Sequence, residues 1–280
     1  MPRPPEIDLP QRPESDRPLD EEIVLRALGE QFPSHAFSHV APLPPGWGSD
    51  PYVVDDRLVA HFPRNAEIAG WLDWDETILK FVDSAVGSTL RVPRALHHGN
   101  PGEHFPHGFL VCDFIPGVPF DKAEAPASDQ LAGELGEALT RIHSVSATAA
   151  ADAGVTQPEW DQFRGALSFL HGDFSPANII VDPSTGRLAG IIDWGNAQLG
   201  DRAWDFHKLV LNCGWGFTST AMEAYGLPRG EGFVERVRFY AQMEAAQWLA
   251  DSVRRGLDPS LNLKRVRNAF SLDGAFNRGT

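Results

Sequence analysis

The stretch Phe169-Leu170-His171-Gly172-Asp173-Phe174-Ser175-Pro176-Ala177-Asn178-Ile179-Ile180-Val181, followed by Ile191-Ile192-Asp193-Trp194, constrains this chain more than any other. Asp173, Asn178 and Asp193 are set in apolar sequence of the kind that makes buried strands, where a polar group is costly unless it is partnered. The runs 179–181 and 188–192 are short and rich in β-branched residues, and Asp182-Pro183-Ser184-Thr185-Gly186 between them is dense in turn formers. This pattern predicts a β-hairpin. Asp173 and Asn178 then lie on the loop entering its first strand and Asp193 just past its second, so antiparallel pairing brings all three to one edge. Mg²⁺ takes oxygen ligands, with one or two from protein and the rest from water and phosphate. Asn178 and Asp193 suit that role, and Asp173 is left to accept a proton. The plain alternative makes Asp173 a turn cap, Asn178 a loop bridge and Asp193 a strand end. It requires three coincidences of identity and spacing.

His-Gly-Asp, Asn five residues later, a hairpin and then Ile-Asp-Trp resembles the catalytic and metal-binding segments of the aminoglycoside and macrolide phosphotransferases, relatives of the protein kinases. The kinase loop has the same Asp-to-Asn spacing, with Asp as base and Asn and a later Asp on metal. Gly200-Asp201-Arg202-Ala203-Trp204-Asp205 also resembles the family, whose second Asp in this segment braces the catalytic loop. The resemblance implies an α+β, bilobal protein-kinase-like fold. An irregular N-terminal arm (1–18) would precede a small β-rich, nucleotide-covering N-lobe (19–115) and a mainly helical catalytic and substrate-binding C-lobe (116–280). It implies ATP- or GTP-dependent O-phosphorylation of a hydroxylated small molecule such as an aminoglycoside or macrolide, with antibiotic resistance as the role. Two alternatives stay open: a metabolite kinase acting on a sugar or amino alcohol, and a catalytically impaired kinase-like binding protein.

The net charge of −14 argues against a nucleic-acid partner, which needs a basic face. No apolar run approaches a membrane span, and the start Met1-Pro2-Arg3-Pro4-Pro5 lacks a signal peptide's apolar core, so a cytoplasmic enzyme is expected. Cys112 and Cys213 read as small core hydrophobes, and His97-His98 as a surface loop pair with no spaced metal partner.

Charge is unevenly spread: residues 117–206 carry −8 and residues 207–280 carry +3. The acidic catalytic segment fits either attraction of a cationic substrate or a solubilising surface. The C-terminal portion, net positive and carrying Trp215, Phe217, Tyr225, Phe233, Phe239, Tyr240 and Trp248, favours a bulky, partly apolar acceptor such as a macrolide.

Along the chain, Leu19 to Phe32 suits a short helix after Asp20, and 43–64 reads as strand, turn, strand, with Gly46 and Gly48 in a turn. Asn65 to Val86 is expected to be one helix, with Ile68, Leu72, Leu79 and Val82 as its apolar seam. In the resembling family a strand Lys or Arg pairs with a helix Glu to hold the nucleotide phosphates; this chain has His61, and Asp75 or Glu76. A nearby carboxylate and the phosphates would favour imidazolium, raising its pKa. Arg64 is the rival cation. Residues 93–96 and 109–115 look like strands, and the latter resembles the family's hinge, where backbone near Asp113 and Ile115 would meet the base. Further helices are expected over 128–145, 202–213, 232–256 and after Pro259. Little long periodicity marks 146–167, where the family commonly has a longer helical insertion. Glu244 and Asp251, interleaved on an apolar seam, are candidates to face a cavity.

Overall fold

The structure is a computed structural model and describes residues 12–124, 127–159, 161 and 163–271. The first eleven residues, part of the expected arm, lie outside the described residues. The described chain forms two compact units, one of residues 12–84 and 92–115, the other of residues 85–91 and 116–271.

The first unit is sheet-rich. Helix α1 (Glu21–Gln31) starts at Asp20, whose carboxylate accepts from Ile23 N at 2.8 Å, as an N-cap should. Strands β1 (Val40–Pro42), β2 (Ser49–Val54) and β3 (Leu58–Pro63) follow, the β2–β3 turn carrying Asp55 and Asp56 in left-handed backbone. The expected single helix over 65–86 is two: α2 (Ala66–Ala69), capped by Asn65, and α3 (Leu72–Val86). Gly70 and Trp71 break the run while the apolar face continues, since Ile68, Leu72, Leu79 and Val82 are all buried. Strands β4 (Ala95–Gly99) and β5 (Phe109–Asp113) complete an antiparallel sheet of order β1-β2-β3-β5-β4. His97 and His98 therefore sit on a strand and not on a surface loop. The core gathers Val24, Leu28, Val54, Phe62, Phe105, Phe109 and Val111. Residues 12–16 are irregular but fastened just past the end of β3: Arg64 Nε donates to Pro13 O at 2.6 Å and Asp16 N to Arg64 O at 2.7 Å.

The second unit is mainly helical. After the short β6 (Val118–Pro119), α4 (Asp129–His143) begins at Ser128, whose hydroxyl accepts from Leu131 N, and buries Leu131, Leu135, Leu139 and Ile142. Helix α5 (Ala147–Asp152) is brief. Strand β7 (Ser168–Leu170) leads into the catalytic segment, β8 (Ile179–Val181) and β9 (Leu188–Ile191) form the predicted hairpin, and β10 (Gln198–Gly200) pairs back onto β7. Asp182 Oδ1 accepts from Ser184 N and Thr185 N, closing the hairpin turn. Helix α6 (Ala203–Ala224) runs past Cys213, where the sequence pattern placed its end. Gly214 adopts φ +83°, which kinks the helix, and the chain resumes helical geometry beyond it. Helices α7 (Phe233–Arg254) and α8 (Ser260–Phe270) pack on α6.

Candidate active site

The segment between β7 and β8 is shaped by backbone demands. Gly172 has φ +84°, and a Cβ there would lie 1.9 Å from Asn196 O, so only glycine allows this approach. The fully buried Asp205, on the first turn of α6, accepts from His171 N at 2.8 Å and Gly172 N at 2.9 Å, and pairs with His143 Nε2 at 3.0 Å. Burial alone would raise its pKa, but the His143 contact and the neighbouring His171 outweigh burial and hold it below the usual carboxylate range. Trp204 Nε1 donates to Gly172 O at 2.8 Å. His171, also fully buried, accepts from Asp173 N at Nδ1 and faces Ile192 O with Nε2 at 3.0 Å. A ring with both nitrogens engaged in this way is a brace and is not placed to take a substrate proton.

On this frame Asp173, Asn178 and Asp193 come together. Asn178 Nδ2 donates to Asp173 O at 2.9 Å and to Asp173 Oδ2 at 3.0 Å. Both amide donations are thus spent on Asp173, which turns the carboxamide oxygen away as a free acceptor. Ile192 N donates to Asn178 O at 2.9 Å, and Ile179 pairs with Ile191, so hairpin register sets Asn178 beside the start of the Asp193 segment. Asp193 has φ 64° and ψ 66°, a left-handed conformation uncommon outside glycine and concentrated at functional positions. Its side chain is open to water yet crowded by protein, and this crowding, then the Asp173 charge, pushes its carboxyl upward. A carboxyl disfavoured as an anion by its crowding and by the Asp173 charge makes a place for a cation. Among the described residues no group of three His, Cys, Asp or Glu is arranged to hold a metal, so an ion here would need the Asn178 and Asp193 oxygens plus ligands from a bound phosphate.

One neighbour of Asp173 went unseen in the sequence. Lys208, on α6, places Nζ 2.9 Å from Asp173 Oδ1 and 3.1 Å from Glu244 Oε1. Burial would depress this ammonium, but Glu244 and Asp173 outweigh burial and hold its pKa above the usual lysine value. Glu244, on α7, also pairs with His207 Nε2; although burial opposes ionisation, His207 and Lys208 drive its carboxyl down to about 2. The cavity-facing candidate Glu244 is therefore part of the Asp173 cluster, whereas Asp251 pairs with Arg254 and Arg255. Lys208 carries no local signal. It lies 35 residues from Asp173 in sequence, and only the packing of α6 unites them.

The residues expected to handle nucleotide lie in the first unit. His61 on β3 stands between Pro51 and Leu110 in the sheet, with His98 next in the same row across β5. The expected carboxylate partner is engaged elsewhere: Glu76 Oε2 contacts His98 Nδ1 at 2.7 Å and Oε1 pairs with Lys80. Burial among apolar neighbours pushes His61 down to about 4, which reverses the expected rise. Asp75 is half-buried on α3. Arg64, the rival cation, is committed to Asp50 at 2.7 Å and to Pro13 O. At the expected hinge, Asp113 N donates to Arg94 O at 3.1 Å, and the Asp113 side chain accepts from Arg94 N and Nε. Phe114 N donates to Arg57 O at 2.8 Å, so Ile115 follows two residues whose N–H groups are spent.

The Phosphotransferase enzyme family model, APH, matches residues 39–169 and 153–246, most of the described chain. The chain belongs to this family. Among curated proteins it is 26% identical over 189 residues to the streptomycin 3''-kinase of Streptomyces griseus, covering 50% of this chain and 68% of that one. Another curated relative is covered over only 49% of its length, so the chain spans about half of it. The GDP complex of an aminoglycoside 2'-phosphotransferase superposes with a TM-score of 0.73 at 19% identity, covering 90% of this chain and 98% of that one. The macrolide 2'-phosphotransferase of Brachybacterium faecium gives 0.64 at 16%, covering 89% and 99%. The chain has the α+β kinase-like fold of these structures, sheet-rich first and helical after. Among its described residues no helix is long and apolar enough to cross a membrane.

Proposed function

We propose that this phosphotransferase moves the terminal phosphoryl group of ATP or GTP to a hydroxyl of a small molecule, with Asp173 receiving the hydroxyl proton. The observation that carries the reading is the Asp173–Asn178–Asp193 cluster. Asp173 presents a carboxylate fixed by Asn178 and Lys208, Asn178 keeps its carboxamide oxygen free, and Asp193 is held in strained backbone with its charge in need of a partner.

Asn178 and Asp193 would hold Mg²⁺, and that ion, when bound, neutralises charge on the phosphates. Asp173 orients the acceptor oxygen and takes its proton as the bond to phosphorus forms, and positioning accounts for most of the acceleration. His171 and Asp205 hold the loop so that Asp173 cannot swing away. On the nucleotide side His61, neutral near pH 7 in the free protein, offers a hydrogen bond where the family pattern has a charge. Asp113 and Ile115 are proposed to meet the base through main-chain groups, and Asp75 and Glu76 to order α3 beside the phosphates.

Likeness to aminoglycoside and macrolide phosphotransferases supports an antibiotic of either type as acceptor. Lys208 favours a second reading, a metabolite kinase, because it already occupies the Asp173 oxygen that an ammonium group of a polycation would seek. The test is phosphoryl transfer from Mg-ATP and Mg-GTP by the parent and by Asp173→Asn. Transfer that survives Asp173→Asn at the parent rate removes Asp173 from the role.

A further inference from the structure

The acceptor side of Asp173 has a charge character opposite to that of the catalytic segment itself. Lys208 Nζ, paired with Asp173 and Glu244, lies 5.8 Å from the centroid of the Trp248 ring. Arg265, on α8, stacks on the same ring with its guanidinium carbon 4.6 Å from the centroid. Its hydrogen bonds go to carboxamide oxygens, Asn212 Oδ1 and Asn262 Oδ1, and among the described residues no carboxylate forms an ion pair with it. The guanidinium is half-buried and keeps N–H donors unspent. Asp173 and Glu244 are near enough for their charges to bear on it.

His207 adds to the balance. Its Nδ1 faces Trp204 O and its Nε2 faces Glu244, so both ring nitrogens are engaged. Glu244 thus pairs with His207 and Lys208, Asp173 pairs with Lys208, and neither carboxylate pairs with Arg265. Ammonium groups of a polycationic acceptor would find the Asp173 and Glu244 carboxylates already paired and a guanidinium in the way. An acceptor with its own negative charge would find an unmatched cation beside a flat aromatic wall.

We propose that the acceptor is a hydroxylated small molecule carrying a carboxylate or phosphate, held by Arg265 and Lys208 with its carbon frame against Trp248. This rests on the reading that Asp173 receives the hydroxyl proton. As the acceptor binds, Lys208 swings from Asp173 Oδ1 towards the anionic group and the hydroxyl takes its place on Oδ1. The new bond joins the acceptor oxygen to the terminal phosphorus, the bond from that phosphorus to the bridging oxygen breaks, the proton passes to Asp173 and a nucleoside diphosphate leaves.

The experiment uses the full chain with Mg-ATP and Mg-GTP and acceptors built on one sugar frame: glucuronate, glucose 6-phosphate, glucose and glucosamine, with kanamycin and erythromycin alongside. The expected result is a kcat/KM for an anionic sugar at least about tenfold above those for glucose and glucosamine. Arg265→Glu should raise KM for the anionic acceptor at least about tenfold more than it raises KM for glucose, while Arg265→Lys keeps most of the preference. The ranking of glucuronate against glucose 6-phosphate tells carboxylate from phosphate. A parent that prefers glucosamine, kanamycin or erythromycin, or that phosphorylates neither anionic sugar, overturns the proposal, as does an Arg265→Glu enzyme with unchanged KM. Asp173→Asn separates the two layers. If it silences transfer to a cationic acceptor that the parent prefers, only the acceptor inference fails; if transfer persists at the parent rate, the reading beneath it fails.

Discussion

The loop from His171 to Asn178 and the strand that carries His61 both correspond in sequence to segments of the kinase pattern, yet they are built differently. The loop is held mostly through main-chain groups: Asp205 takes two backbone N–H groups, Asn178 takes a backbone carbonyl, and Gly172 leaves no space for a side chain. The strand position depends on one side chain and its partner, and there the partner has moved, with Glu76 drawn to His98 and Lys80. A geometry over-determined by backbone hydrogen bonds tolerates little change, whereas a single side-chain ion pair can be replaced while the sheet around it stays the same.

The hardest way to break this contrast is Asp173→Ala, for which phosphoryl transfer is expected to fall about 10³-fold, within the usual range for loss of a general base. Mg-nucleotide affinity, measured by calorimetry, should stay within about threefold, because Asn178 and Asp193 remain. Equal losses in both would merge the proposed base and metal roles.

Asp205→Ala tests whether the loop depends on its buried brace. Removing this carboxylate strands His143 and the N–H groups of His171 and Gly172, a disruption expected to cost about 3–5 kcal/mol of stability in denaturant unfolding. Gly172→Ala should follow at about 1–3 kcal/mol, set by left-handed backbone and the collision with Asn196 O, and should lower kcat more than it raises nucleotide KM.

The smallest effect belongs to the strand. Because the pKa of His61 lies near 4 in the folded protein against 6.5 for the free group, the unfolded chain binds the extra proton first as pH falls. The stability contribution of His61 is therefore complete above pH 6.5 and is lost as pH falls towards 4. His61→Phe should flatten this part of the unfolding profile. Nucleotide affinity of the parent should be level from pH 7 to 9; an alkaline fall abolished by His61→Ala would show that bound phosphates re-protonate the ring and would bring the strand closer to the family pattern.

Much of the helical unit was legible in sequence because its signals are local. Ser128 and the seam of Leu131, Leu135, Leu139 and Ile142 specify α4, and the turn formers 182–186 specify the hairpin whose register gathers Asn178 and Asp193. Other boundaries slipped where one residue overrode periodicity: Gly70 and Trp71 divide α2 from α3, and Gly214 kinks α6 without ending it. His97 and His98 looked like a surface pair since their polarity hides a strand, and His98 contacts Glu76 22 residues away.

By itself the sequence determined the family, the hairpin and the Asp173–Asn178–Asp193 set, because spacing along one loop and two adjacent strands dictates which side chains share an edge. Only the tertiary structure decided which cations answer which carboxylates. Lys208 meets Asp173, Glu244 meets His207, Arg265 meets Trp248 and Glu76 turns from His61 to His98, all through the packing of helices and the register of non-adjacent strands. Electrostatic partnership falls steeply with distance, and distance between residues on separate elements is a property of packing that no local pattern encodes.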